Sequence, residues 1–158
     1  MLFRSLAAAT TTLKERFAGV ASGELQLVAR GVGRENLLVS LEGRGTLVTR
    51  GAEMRGLDLR ASYLGGRRVQ GVSRFATAEA QFSLAARRIR VERLRLADHE
   101  DDFEAAGELD FSRSLDLRLR LLGAKNGVRP RAQNKTIRIT GALDAPEVAP
   151  LEPQAGKR

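Results

Sequence analysis

"SLDLRLRLL", residues 114–122, decides how the chain is read. Leucine stands at every second position, Leu115, Leu117, Leu119 and Leu121, with Asp116, Arg118 and Arg120 between them. Successive side chains of a strand point to opposite faces, so this segment is a strand with one leucine face and one charged face. The leucines either meet an ordinary core or line a surface that holds something apolar.

The same period runs through most of the chain around it. "DFEAAGELDF" (102–111) puts Phe103, Ala105, Gly107, Leu109 and Phe111 on one side. "RRIRVERLRLAD" (87–98) alternates but slips phase between Val91 and Leu94, and a bulge there restores the facing of Leu94 and Leu96. "RFATAEAQFSLAA" and "KTIRITGAL" are further strands, as is "GELQLVARG" (23–31) with Leu25 and Leu27 on one face. "GRGTLVTRG" and "AEMRGLDLRASY" read as a strand pair turning at Gly51, and "YLGGRRVQG" as a turn-rich connection. Two segments break the alternation. Leu37, Leu38 and Leu41 predict a short helix, and Leu2, Leu6, Leu13 and Phe17 fall near helical spacing. "GAKNGVRPRAQN" is a loop with an Asn-Gly turn signal and Pro130 as a breaker.

The expected organisation is an amphipathic helix over 1–19, a sheet module over 20–143, and a Pro-rich extended or disordered tail over 144–158. The fold class is mainly β: a curled antiparallel meander of about eight strands with one or two short helices. So few helices cannot cover one face of such a sheet. Aromatics are 4% of residues and Trp is absent, too little bulk for a broad interior. The sheet therefore closes as a small barrel or stays an open trough or incomplete barrel, and the scarcity of covering residues predicts an open edge and an open end.

Composition narrows the function classes. With no cysteine, disulfides, thiolate metal sites and cysteine nucleophiles are excluded. The net charge of +8 invites anionic partners, but the basic residues alternate with Leu, Ile and Val along strands and so form a solvated face. No stretch reaches the ~20 apolar residues of a membrane-spanning helix. The N-terminus is a poor signal peptide, because Lys14, Glu15 and Arg16 follow a short apolar run at once.

Three stretches in order resemble the C-terminal region of the AsmA family. "GRENLLVSLEGRGTLVTRGAEMRGLDL" (33–59) carries a Leu-rich helix, an L-x-G-x-G step at Leu41, Gly43 and Gly45, a turn at Gly51, and G-x-D-L at Gly56, Asp58 and Leu59. Gly107, Leu109, Asp110 and Phe111 match a second step, and "IRITGALDAPEVAP" (137–150) matches the family's closing signature with Ala142 in place of Thr. The chain departs from the family in a short segment after Asp58 and in lacking the family's N-terminal anchor and long β-rich body. The resemblance implies a periplasmic, non-enzymatic module whose apolar β-groove carries phospholipid between inner and outer membranes. In the family the whole protein is anchored in the inner membrane. It also implies partners: acyl chains, anionic headgroups, and a preceding β-body or other envelope proteins. The alternative is a structural or interaction module that caps a longer β-rich protein; a basic nucleic-acid binder is a third reading, weakened by the lack of aromatic stacking platforms.

The expected lipid lining is Leu25, Leu27, Leu94, Leu96, Leu109, Leu115, Leu117, Leu119 and Leu121. Lys125, Arg129 and Arg131 are the expected headgroup contacts, since cations near an anionic membrane each contribute about 1 kcal/mol. "ADHEDD" (97–102) holds the only histidine, His99, but adjacent residues on a turn diverge and the spacing fits no metal-ligand pattern, so it reads as a solvated acidic hairpin turn. No catalytic residue, metal or cofactor is expected; in particular, a Ser-His-Asp site lacks its nucleophile elbow.

Overall fold

The computed structural model describes residues 16–124 and 135–151. Within them lie eight strands: β1 (Phe17–Val28), β2 (Glu42–Arg55), β3 (Val72–Ala85), β4 (Arg88–Ala97), β5 (Asp101–Asp110), β6 (Ser114–Ala124), β7 (Thr136–Ala142) and β8 (Ala145–Leu151). Two short helices, α1 (Arg34–Val39) and α2 (Leu59–Gly65), interrupt them. Every strand pairs antiparallel with the next in sequence, in the order β1 to β8, and the sheet is not closed.

Register carries one apolar face across the sheet. Leu115, Leu117, Leu119 and Leu121 of β6 stand opposite Leu109, Gly107, Ala105 and Phe103 of β5. On the other side of β6, Leu117 and Leu119 stand opposite Ile139 and Ile137. Beyond β5, Ala105 and Phe103 pair with Leu94 and Leu96. The slip between Val91 and Leu94 is a register shift in the β4–β5 ladder, as the sequence phase requires, and both leucines pack against the core. The opposite face is a lattice of exposed ion pairs. Glu104 joins Arg93 and Arg120 across three strands, Asp116 holds Arg138, and Glu108 holds Arg90.

Three expectations change. Gly51 does not turn the chain: β2 runs straight through it, and the register against β3 is the same before it, at Arg50–Thr77, as after it, at Ala52–Phe75. Its φ of +61° suits glycine, and the register shift here lies in the β1–β2 ladder, where Gly51 and Ala52 together stand against Gly19 alone; beyond it Ala52 and Met54 pack against the core. Second, "LRASY" (59–63) is not strand; with Leu64 and Gly65 it forms α2. Asp58 caps it by accepting from the Ala61 N–H at 2.9 Å, and Gly66 ends it in the left-handed conformation. Third, the expected tail contains a strand, because residues 145–151 pair with β7. The strand number stays at eight because this gain offsets the merging of two expected strands into β2. Most of the expected helix over 1–19 lies outside the described residues, and Phe17–Gly19 already belongs to β1.

Candidate functional site: a groove on the apolar face

The sheet curls enough that Phe17 at the start of β1 and Pro146 in the last strand line the same groove. α2 lies on the apolar face and seals part of it. Tyr63 is 1% exposed; its hydroxyl donates to the Lys135 carbonyl at 2.5 Å and accepts from the Leu121 N–H at 3.4 Å. Its ring meets Phe103 edge-on at 5.6 Å. Leu57 and Leu59 are buried beside it, tied down by Ser73, whose hydroxyl donates to the Leu57 carbonyl and accepts from the Leu59 N–H.

What α2 leaves uncovered is a groove of about 150 Å³. Its lining is apolar apart from two cations. Leu57 and Leu59 form one wall, and Leu94, Leu96, Ala105, Leu115, Leu117, Leu119 and Ile139 the floor. Phe17, Met54, Leu143 and Pro146 complete the lining, and Arg16 and Arg55 are its charged members. A site of this make-up can hold a short run of methylenes and place an anion beside the Arg16 guanidinium, which lies over Gly56, while that of Arg55 pairs with Glu53; its lining offers no nucleophile or general base.

Of the nine leucines expected to line a groove, Leu94, Leu96, Leu115, Leu117 and Leu119 do so. They are not equivalent: Leu119 is 1% exposed and Leu115 is buried, whereas Leu117 is half-buried. Leu121 is core, and Leu109 packs against its edge. Leu25 and Leu27 share the face but stand outside the groove, 56% and 49% exposed. They fill the space that Gly45 and Gly43 leave opposite them; a Cβ on Gly43 would sit 2.6 Å from Leu27, and one on Gly45 2.8 Å from the Phe82 ring. The L-x-G-x-G step thus has a packing reason. Lys125, Arg129 and Arg131 lie outside the described residues. Phe17, Met54, Leu57, Leu59, Leu143 and Pro146 escape a strand-by-strand reading, because they come from strand ends and turns that only the curl brings together.

The acidic turn is more structural than its exposed sequence implies. Asp98 accepts from the N–H groups of Glu100 and Asp101, both at 2.6 Å. Asp101 is 3% exposed, and Arg60 of α2 pairs with it at 3.2 Å and with Glu100. One of the turn's carboxylates is therefore a buried anchor for α2 rather than a solvated charge. Among the described residues no cluster could hold a metal ion.

These carboxylates set the pH response. Burial pushes the Asp101 carboxyl up, against the pull of Arg60. Arg55 lowers Glu53, Arg120 lowers Glu104, Arg138 lowers Asp116, and the Ser112 hydroxyl lowers Asp110. The raised group favours the protonated folded state, so its contribution grows as pH falls from its raised value toward the ordinary 3.8. The four lowered groups contribute stability that is complete above their ordinary values of 4.5 and 3.8 and is lost as pH falls below them. The thermal midpoint is expected to rise where Asp101 takes up its proton and to fall where the four lowered carboxylates do. Melts of Asp101→Asn across the same range should lack the rise and keep the fall, and 1 M salt should shrink the fall, because those ion pairs are exposed.

Among the described residues no helix is long and apolar enough to cross a membrane. No family model matches the chain, and no curated protein and no solved structure matches it either.

Proposed function

We propose that the protein is a non-enzymatic lipid-handling module that holds part of an acyl chain in its groove, in the space between the inner and outer membranes. The observation that carries this reading is the pairing of an apolar groove with the cation of Arg16 in its lining. An amphiphile with an anionic head has both complements. The open apolar face continues the groove toward Leu25, Leu27 and Leu47, which are exposed. Burial of each further methylene there is worth about 0.8 kcal/mol. The AsmA-like order of motifs supports the same role.

The test uses vesicles of phosphatidylglycerol carrying a photoreactive acyl chain. Labelling of the wild type should fall on β4 and β6 around Leu94 and Leu117. Leu117→Trp fills the groove from a half-buried position and leaves the buried leucines in place. It should reduce labelling about tenfold, equivalent to about 1.4 kcal/mol, with the fold intact by circular dichroism. Undiminished labelling of Leu117→Trp, or labelling of the arginine-rich face instead, would remove the groove from the account.

A further inference from the structure

The two edges of the open sheet are built differently. In antiparallel strands alternate residues turn their N–H and C=O toward opposite neighbours. β8 pairs with β7 through Ala145, Glu147, Ala149 and Leu151, so Pro146, Val148 and Pro150 face the free edge. Two of those three lack an N–H, and the edge is closed to further pairing. β1 pairs with β2 through Ser22, Glu24 and Gln26, which leaves Ala21, Gly23, Leu25 and Leu27 to present both donor and acceptor outward. β1 is 12 residues long, contains no proline, and is exposed along its whole length.

We propose that β1 pairs antiparallel with β1 of a second copy of this chain, joining two sheets into one trough across a two-fold axis. The strand's sequence complements itself. With the axis at Gly23, Ala21 meets Leu25 and Gly19 meets Leu27 on the apolar face, and Ser22 meets Glu24 on the polar face. Glu24 is the only ionisable residue of β1, so this register places no like charges opposite each other, although each copy carries a net +8. A foreign strand would find no charge pattern on β1 to select it. Because the β8 edges are sealed, the assembly stops at two copies rather than growing into a filament. This inference is independent of what the groove holds.

Sedimentation velocity of the full chain at increasing concentration is expected to show a monomer–dimer equilibrium. Leu25→Pro removes one outward N–H without touching the β1–β2 hydrogen bonds, and should weaken the dimer at least tenfold with an unchanged melting curve. Hydrogen exchange of the wild type provides the readout should that variant melt early: the Leu25 and Leu27 amides should gain protection with concentration. A wild type that stays monomeric throughout, a folded Leu25→Pro that dimerises equally well, or a dimer whose Leu25 amide exchanges freely overturns the proposal.

Discussion

Leu119→Asp is expected to unfold the protein at room temperature. The side chain is 1% exposed, between Ala105 of β5 and Ile137 of β7, within the core that includes Leu59 and Tyr63. A carboxylate there is enclosed by core side chains, and its strand neighbours Arg118 and Arg120 project from the opposite face. Losing the apolar contact and leaving a buried polar or charged group unpaired each cost several kcal/mol, against a total stability of about 5–15 kcal/mol for a domain. Leu117→Asp, one pleat away on the same face, should remain folded with a lower midpoint, because the groove lets water reach it. Circular dichroism melts of the two single variants separate core from groove. Equal destabilisation would mean that the groove is sealed in solution and that both leucines are structural.

Removing the Tyr63 side chain has the second-largest expected effect. Tyr63→Ala deletes a fully buried ring in contact with Phe103 and should cost about 3–5 kcal/mol. It also detaches α2 from the sheet, since the hydroxyl is the link to Lys135 and Leu121. The midpoint should drop by tens of degrees, or the variant should bind a hydrophobic dye through the uncovered face. Tyr63→Phe keeps the ring and strands only the Lys135 carbonyl and Leu121 N–H, at about 1–3 kcal/mol. A Tyr63→Ala variant as stable as Tyr63→Phe would show that α2 does not cover the sheet in solution.

Much of the sheet was readable because strand periodicity is local. The alternation in 114–122 states which residues share a face, and a phase slip such as that at Val91–Leu94 states where a bulge must be. Features that depend on a single backbone conformation were harder. Gly51 suits a turn as well as a bulge, and only the strands paired on either side of it decide which. The β3–β4 hairpin turns through Ala86 and Arg87, both with positive φ, where no glycine or asparagine marks the site. α2 was read as strand because "LDLRASY" alternates as well as any strand in the chain. What makes it a helix is the Asp58 cap at one end and the left-handed Gly66 at the other. The tail was read from its prolines, and proline is compatible with an edge strand whose nitrogens face outward.

The candidate site divides along the same line. By itself the sequence determined a two-faced meander, with the leucines of β4, β5 and β6 on one side and the arginines on the other. Tertiary structure alone decided which leucines are core and which are groove. Leu119 and Leu117 are indistinguishable in sequence, two positions apart on one strand face with the same neighbours in type. The outcome turned on where α2 crosses that face, which Tyr63 settles by reaching Lys135, 72 residues away. Periodicity is set by neighbouring residues on one strand, whereas burial is set by whatever segment the curl of the whole sheet brings over it.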